Sequence, residues 1–346
     1  MPTKQNTRPA IEVHIDAPEL GPSVQVGTLY PADVRINLAP SFEYTQEWLN
    51  NPQRFLLDPR LDLYGGEQHA SQARGFGIFL DSAPDRWGRV LMERREASQA
   101  KQQARQMKRL TDLDFMLGVH DLTRGGALRY RRGPQEPFID NHELPAPPVT
   151  DLRELAAIAH KLDEPDVERH HTFCVKRFDR GVNDAPQARR MYASAMTLLE
   201  QTDGAPDASY LDLVGFLETE GGAGLTQDLS QLFRRAVFNL LVGNRDDHLR
   251  NHGFIRLPTG WRLSPAFDMN PNRDKRQHAL TWNGHTAEPD LDVLKETAPY
   301  YRINKPQDAQ AIIDDIMTVV ANWRSKAKAL QLPSTEVQMM ETVFGV

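Results

Sequence analysis

Cysteine is almost absent from this sequence, since Cys174 is the single one among 346 residues. One cysteine cannot close an internal disulfide or form a cysteine cluster around a metal, which suits a reducing cytoplasm. No stretch approaches the roughly 18 apolar residues of a membrane-spanning helix, and the N-terminus lacks the apolar core of a signal peptide. We therefore expect a soluble, cytoplasmic protein.

A surplus of positive charge is also missing. The formal net charge is -6 and the pI is near 6.0, so the chain is not expected to coat nucleic acid or an anionic membrane by itself. Hydrophobic residues make up 40% and charged residues 25% of the chain, the composition of an ordinary globular protein. The length suits two domains, or one large domain with an insert.

Glycine is absent between Gly133 and Gly181. A loop that cradles phosphates brings its backbone amides close to the ligand, which glycine permits and larger side chains obstruct. The segment Phe173-Cys174-Val175-Lys176 is superficially similar to a kinase strand whose lysine pairs with nucleotide phosphates, but that lysine should follow a glycine-rich loop. A phosphate-cradling loop is therefore excluded from this stretch.

The first half of the chain contains a predicted sheet and a predicted linker. Apolar and polar residues alternate over 11–29, which predicts a small β-sheet, and we interpret the aromatic cluster over 42–48 as core. Proline, glutamate and asparagine dominate before residue 150, which is typical of a linker. The predicted organisation is an N-terminal subdomain 1–133, a linker 134–149 and a C-terminal domain 150–346.

The second half is predicted to be mainly helical after one strand. Residues 171–180 are predicted to form a buried strand that ends in charged residues. Apolar residues at helical spacing predict three helices, over 210–217 after an Asp207 cap, over 229–241 after Thr226, and over 306–331, with Ser334 capping a last helix. The helix over 229–241 leads into the most informative loop of the chain.

That loop, residues 243–251, has the spacing of a phosphoryl-transfer site. Asp246 and Asn251 form a D-x-x-x-x-N pattern, in which the carboxylate meets a substrate hydroxyl while the amide oxygen holds a metal ion. Asp268 follows a later strand, where a second carboxylate can bridge the metal to nucleotide phosphates. The alternative is an ordinary turn, because glycine, asparagine and aspartate are turn-forming residues.

Two histidines in the same loop raise a zinc alternative. His248 and His252 are four residues apart, but the run H-L-R-N-H lacks the glutamate of the H-E-x-x-H zinc motif. We favour a His248 that braces the loop.

The runs GNRDDHLRNHGF, residues 243–254, and GWRLSPAFDMNP, residues 260–271, resemble the catalytic and metal-binding motifs of the HipA family of bacterial serine/threonine kinase toxins. Shorter segments that match the family occur elsewhere, at 26–30, 81–89, 125–129, 177–180, 194–199 and 238–241. The resemblance covers most of the chain.

The resemblance implies an α+β, two-lobed, protein-kinase-like fold, with a small β-rich N-terminal subdomain and a mainly α-helical C-terminal lobe. It also implies phosphoryl transfer from ATP and Mg²⁺ to a serine or threonine hydroxyl of a protein, by the toxin of a toxin–antitoxin system. The implied catalytic residues are Asp246 and Arg250, the metal-binding residues are Asn251 and Asp268, and the nucleotide-binding residues are Lys176, Arg177, Phe178, His248, Arg250, Asn251, Phe267 and Asp268.

Partners follow from the same resemblance. The family suggests a DNA-binding antitoxin and a protein substrate such as a translation factor or an aminoacyl-tRNA synthetase. Contact with DNA is expected only through the antitoxin, and none is expected with a membrane.

The sequence departs from the family before residue 177. The family has a glycine-rich segment, a strand with an Ala-Lys-Phe lysine, and then a helix, and too few residues lie between Leu162 and Arg177 to hold them. The nucleotide-binding sheet is therefore expected to be truncated, either because the member is shortened or because the printed sequence omits a segment. Two other functions stay open, a pseudokinase-like regulatory module with impaired ATP binding and a small-molecule phosphotransferase, although the latter leaves the N-terminal matches unexplained.

Overall fold

The computed structural model describes residues 10–32, 39–70, 75–139, 175–182, 185–205 and 207–344. The chain divides into two compact units, Met1–Met191 and Tyr192–Val346. Most of the predicted linker 134–149 lies outside the described residues, and the predicted domain boundaries stay a prediction. Among the helices of the described ranges, none has the length and apolar character needed to cross a membrane.

The first unit is built on a five-stranded antiparallel sheet with strand order β4-β3-β2-β1-β5. The strands are β1 (Ile11–Ile15), β2 (Val24–Tyr30), β3 (Ser41–Tyr44), β4 (Gln68–His69) and β5 (Leu128–Arg131). Alternation along the strands buries Val13, Val26 and Tyr130 completely. The predicted N-terminal sheet is confirmed.

The helices of the first unit are short, apart from one on the surface. They are α1 (Gln46–Asn50), α2 (Gly77–Leu80), α3 (Arg86–Gln102) and α4 (Asp112–Leu117). The aromatic cluster is core as predicted, because the rings of Phe42 and Tyr44 meet edge to face at 5.0 Å and Trp48 is buried against Phe55 at 5.4 Å.

The predicted strand over 171–180 is wrong for the residues that the structure describes, 175–180. Val175 is 67% exposed, and strand β6 (Arg180–Val182) begins only at Arg180, where it pairs with β7 (Ala185–Arg189). The cause is Arg177, whose guanidinium binds the Asp179 carboxylate at 2.6 and 2.8 Å and the carbonyl oxygens of Thr123 and Arg124. These side-chain bonds fix a local turn in place of a strand.

The second unit combines a small sheet with a largely helical body. The sheet has the order β10-β9-β8, from strands β8 (Met191–Ser194, which begins at the unit boundary), β9 (Gly253–Leu257) and β10 (Gly260–Leu263). The helices are α5 (Ala195–Leu198), α6 (Tyr210–Glu220), α7 (Leu225–Val242), α8 (Leu291–Glu296), α9 (Pro306–Ala321), α10 (Trp323–Ala329) and α11 (Ser334–Met340). The two units together give the mixed α/β character that the sequence predicts.

Helix α7 is the centre of the second unit. Its predicted apolar stripe is confirmed, since Leu229, Leu232 and Phe233 are completely buried, and it packs against α6 and α9. It ends at Val242 and is capped by Gly243, whose φ is 65° and where a Cβ would lie 2.6 Å from Val343 Cγ1. Glycine is therefore required where the chain leaves the helix for the loop.

Several predicted helix ends are wrong. The cap of α6 is Ser209, whose hydroxyl accepts from Leu211 N at 3.1 Å, and α7 is preceded by Gly224, so neither Asp207 nor Thr226 caps a helix. The predicted helix over 306–331 is interrupted at Asn322, whose Nδ2 donates to Thr318 O at 2.9 Å and competes with the backbone. Ser334 is the first residue of α11, and the cap position before it is occupied by Pro333, which makes no side-chain cap hydrogen bond.

Candidate active site

The loop over 243–251 closes on itself through its two predicted site residues. Asn251 Nδ2 donates to the backbone oxygen of Asp246 at 3.0 Å, and Leu249–Asn251 form a 3₁₀ turn. This bond uses the amide nitrogen, while no described residue donates a hydrogen bond to Asn251 Oδ1. The D-x-x-x-x-N spacing therefore leaves one oxygen of Asn251 available to a ligand.

Asp247, which was not among the predicted site residues, anchors the loop to the interior of the second unit. Its carboxylate is buried and accepts from the hydroxyl of Tyr210 at 2.9 Å and from the Ala279 amide at 2.9 Å. It also lies 3.4 Å from Nδ1 of the buried His278. A buried carboxylate with several donors is held in one position, so the loop is held there too.

The anchoring network continues into α7. Asn239 Nδ2 donates to the Tyr210 hydroxyl oxygen at 2.8 Å, and Asn244 Nδ2 donates to Asn239 Oδ1 at 3.1 Å. The Tyr210 ring stacks on Trp282 with a centroid separation of 5.3 Å. An asparagine among the mostly apolar buried positions of this helix was the available sequence signal, because such a group needs polar partners.

Burial and charge set the protonation states in this network. Burial raises the pKa of Asp247, but the polar groups around its carboxylate, with His278 Nδ1 3.4 Å away and the Ala279 amide as a donor, outweigh burial and hold the pKa below its usual value. Burial and the neighbouring Asp247 charge raise the pKa of Tyr210, which keeps its hydroxyl as a donor. Burial and the charge of Arg235 lower the pKa of His252 to about 3, so this histidine is neutral at physiological pH.

Asp246 lies at the exposed edge of the same loop. Its carboxylate is 46% exposed and forms an ion pair with the Lys275 ammonium group. Arg245 Nη1 donates to the Lys275 carbonyl oxygen at 2.8 Å, and the Asn272 amide donates to Gly243 O at 2.8 Å. The segment 270–276 is therefore fastened beside the loop. Lys275 was not among the predicted site residues.

Asp268 has a backbone conformation that is uncommon for a residue with a side chain. Its φ is 51°, in the left-handed region, and its exposed carboxylate accepts only from Asn270 Nδ2, at 2.7 Å, among the described residues. Backbone outliers of this kind cost free energy and are concentrated at functional sites. The neighbouring Phe267 ring meets Tyr192 edge to face at 6.4 Å.

The oxygens of Asn251 and Asp268 fit a hard divalent cation. Mg²⁺ prefers oxygen ligands and is usually held by one or two carboxylates together with water and substrate phosphates. In the described parts of the chain, no group of three or more histidine, cysteine, aspartate or glutamate residues is arranged to hold a metal. An amide oxygen and one carboxylate are ligands of the type that Mg²⁺ uses when it binds together with substrate phosphates.

The remaining predicted residues are distributed over both units. Arg250 lies in the second unit, where its Nη2 pairs with Asp203 at 3.2 Å and contacts Met196 Sδ at 3.8 Å. His248 Nδ1 is buried and has no hydrogen-bond partner among the described residues. Lys176, Arg177 and Phe178 belong to the first unit, where Lys176 is exposed and Arg177 is engaged with Asp179.

The fold is that of HipA, which is kinase-like. A chain of the solved complex described as the Shewanella oneidensis MR-1 toxin–antitoxin system HipA, HipB and its operator DNA superimposes with a TM-score of 0.60. The similarity covers 97% of this chain and 96% of that chain at 14% sequence identity. The family of the HipA-like C-terminal domain matches residues 151–323. The chain belongs to the HipA family.

A curated protein of Haemophilus influenzae, named as an inferred kinase, is 29% identical over 111 residues. That alignment covers 30% of this chain and 32% of the relative. The chain thus spans about a third of the length of the curated relative it matches.

Proposed function

We propose that this protein is a HipA-type serine/threonine protein kinase, which transfers the γ-phosphoryl group of ATP, with Mg²⁺, to a hydroxyl of a protein target. We further propose that it is the toxin of a toxin–antitoxin system. Membership of the HipA family supports the assignment, and the geometry of one loop supports its chemistry.

The observation that carries the proposal is the different environment of two adjacent carboxylates, Asp246 and Asp247. Asp247 is buried and each of its carboxylate oxygens accepts a hydrogen bond, whereas the Asp246 carboxylate is 46% exposed and pairs with Lys275. A general base must be held in place and yet be open to its substrate, and an anchored loop with one exposed carboxylate meets both conditions. An ordinary turn needs no such buried network.

In this proposal Asp246 orients the substrate hydroxyl and accepts its proton. The hydroxyl oxygen forms a bond to the γ-phosphorus as the bond to the bridging oxygen breaks, and ADP leaves. Arg250, which now pairs with the exposed Asp203, offsets negative charge on the transferring group. Lys275, already at the Asp246 carboxylate, contributes a second positive charge at this edge.

Asn251 Oδ1 and the Asp268 carboxylate are proposed to hold Mg²⁺, which would neutralise charge on the phosphates when bound. His248 and Phe267 are proposed to contact the nucleotide from the second unit. The family resemblance also implies Lys176, Arg177 and Phe178 as nucleotide-binding residues, and this implication stays a prediction.

The proposed partners are a DNA-binding antitoxin and a protein substrate. The similar solved complex contains HipA, HipB and operator DNA, which supports an antitoxin partner by analogy. The net charge of -6 disfavours direct binding of DNA by this chain, so contact with DNA is proposed only through the antitoxin. A translation factor or an aminoacyl-tRNA synthetase is the proposed class of substrate.

A titration of the intact chain with ATP and Mg²⁺ tests the proposal. We expect saturable binding that weakens at least about tenfold in Asp268→Ala. Removal of a residue that hydrogen-bonds a metal ligand typically lowers metal affinity by about tenfold or more, and removal of the ligand itself should lower it at least as much. The matched control is Asp274→Ala, whose carboxylate is 90% exposed and which should bind as the unmodified chain does. Absence of saturable binding to the unmodified chain would refute the kinase proposal.

A regulatory, pseudokinase-like module is the second candidate. It is favoured by the absence of glycine between Gly133 and Gly181 and by Arg177, which is engaged with Asp179. This candidate predicts a folded chain that binds its antitoxin without binding ATP. Pull-down of the antitoxin together with a negative ATP titration would establish it.

A further inference from the structure

Residues 341–344, which follow α11, pack against the start of the loop over 243–251. Val343 is buried, and its amide donates to Met340 O at 3.0 Å. A Cβ on Gly243 would lie 2.6 Å from Val343 Cγ1 and 2.8 Å from Val343 O. The side chain and the backbone of Val343 therefore lie directly against the Gly243 backbone, with no other side chain between them.

Gly243 is the point where this loop is joined to the neighbouring segment 270–276. Its carbonyl oxygen accepts from the Asn272 amide at 2.8 Å and from the Arg245 amide at 2.9 Å. Arg245 Nη1 in turn donates to the Lys275 carbonyl oxygen at 2.8 Å. A displacement of Gly243 would therefore reach both segments that form the exposed edge of the site.

Two further contacts hold residues 339–344 in place. The Phe344 ring stacks on Trp323, the first residue of α10, with a centroid separation of 4.5 Å and an interplanar angle of 12°. Arg273 Nη1, from the segment beside the loop, donates to Met339 Sδ at 3.0 Å. Residues 339–344 are thus anchored to the helical body and touch both segments of the site.

This support is separate from the buried network that holds Asp247. The network reaches the loop from α6 and α7, through hydrogen bonds between side chains. Val343 instead makes a packing contact with Gly243, where the chain enters the loop. The two supports therefore stand on either side of Asp246 in the sequence.

We propose that Val343 is a positioning residue for Asp246. By its contact with Gly243 it fixes the entry of the loop, and with it the Asp246 carboxylate and the Lys275 ammonium group that pairs with it. Its importance for phosphoryl transfer rests on the proposed function, whereas its effect on the loop does not. A displacement of about 1 Å in a group that meets the substrate can lower the rate about 10²-fold.

Hydrogen exchange of the full chain, without nucleotide, tests the effect on the loop. Val343→Ala removes Cγ1 and leaves a gap beside Gly243. The amides to follow are those of Asn244 and Asn272, which donate to Asn239 O at 2.9 Å and to Gly243 O at 2.8 Å. We expect both amides to exchange at least about fivefold faster in the variant, because the gap lets the loop open locally.

Val343→Thr is the matched control. Threonine is close to valine in shape and retains the contact with Gly243, but it buries a hydroxyl group and therefore also lowers stability. Urea denaturation compares the free energies of unfolding of the two variants. We expect the loop amides of Val343→Thr to exchange within about twofold of the unmodified rate, while amides in the middle of α7 accelerate in both variants, since those open only by general unfolding.

The comparison of the two variants decides the proposal. Faster exchange of the loop amides in Val343→Ala alone supports the positioning role. Loop exchange that is unchanged in Val343→Ala, or that is accelerated equally in both variants, would overturn it, because Val343 would then contribute to general stability only.

The consequence for catalysis is measured by transfer of labelled γ-phosphate to proteins of a cell extract. We expect Val343→Ala to transfer phosphate at least about tenfold more slowly and Val343→Thr to retain most of the rate. Equal rates in the two variants and the unmodified chain would overturn the link to Asp246. An unmodified chain that transfers no phosphate would count against the proposed function alone, because the hydrogen-exchange experiment contains no nucleotide and still decides whether Val343 positions the loop.

Discussion

The two sides of the loop over 243–251 differ in how their polar groups are satisfied. On the buried side, Asp247, Tyr210 and Asn239 form hydrogen bonds with one another or with neighbouring backbone. On the exposed side, Asn251 Oδ1 has no donor among the described residues, and the Asp246 carboxylate is 46% exposed. The difference separates groups that stabilise the loop from groups that are free to bind a ligand.

Adjacent positions in the sequence therefore have opposite roles. Asp246 and Asp247 are the same residue type, yet the first is half exposed and the second is buried. Substitution at each position should affect a different property, stability at one and activity at the other. The following experiments test this separation, in order of decreasing expected effect.

The largest effect is expected for Asp247→Ala. The substitution leaves the Tyr210 hydroxyl and the Ala279 amide without their buried acceptor and removes the negative charge beside His278. Removal of one partner from such a buried charged network costs about 3–5 kcal/mol in the free energy of unfolding. Urea denaturation measures it, with Asp246→Ala as the control, which should cost less than about 1 kcal/mol. Equal losses for the two variants would contradict the separation.

Asp246→Asn should show the opposite result. It retains the shape of the side chain but removes the proton acceptor, and loss of a general base slows transfer by about 10²–10⁴-fold. The measurement is transfer of labelled γ-phosphate to proteins of a cell extract, together with urea denaturation of the variant. We expect transfer to be lost and stability to be retained. A variant that transfers phosphate at the unmodified rate would exclude Asp246 as the base.

The pH dependence of the free energy of unfolding tests the buried residues behind the loop, His252 in particular, without a change to its exposed residues. The pKa of His252 is lowered to about 3 by burial and by the charge of Arg235, whereas an unfolded histidine titrates near 6.5. Below about pH 6.5 the unfolded chain therefore binds a proton that the folded chain excludes. The stability that His252 contributes is complete above that pH and is lost as the pH falls toward 3, at about 1.4 kcal/mol per unit.

At pH 5 this amounts to roughly 2 kcal/mol relative to pH 7. His252→Phe should remove that part of the slope, and a substitution of the exposed His285 to Phe should leave the slope unchanged. The pKa of Asp247 is also lowered, so its contribution is lost only below about pH 4, outside this window. An identical slope in His252→Phe would show that the histidine is not held neutral in the folded state.

Sequence patterns predicted the local parts of this site. The apolar stripe of α7 fixed the helix, and the spacing of Asp246 and Asn251 is realised by a direct hydrogen bond across five residues. Local periodicity and spacing are properties of a short segment, and such properties can be deduced from the sequence. The fold class was predicted through the family resemblance, which the structural similarity confirms.

The contacts of Asp247 on the buried side and of Asp246 on the exposed side were not predicted, because they join segments that are distant in the sequence. Tyr210 meets Asp247 across 37 positions, and Lys275 meets Asp246 across 29. No periodicity relates such residues, so Asp247 and Lys275 were overlooked. The incorrect strand over 171–180 has a similar origin, since Arg177 bonds to carbonyl oxygens more than 50 residues earlier.

The smallest effect is expected for Lys275→Met. The ion pair of Lys275 with Asp246 has both side chains 46% exposed, and exposed pairs contribute about 0–1 kcal/mol to stability. A double-mutant cycle with Asp246→Ala, by urea denaturation, should give a coupling energy within that range. The coupling should fall further at high salt, because salt screens exposed charges but not the buried network behind Asp247. A coupling above about 2 kcal/mol that persists in salt would mean that the exposed edge also stabilises the fold, and the distinction between the two sides of the loop would fail.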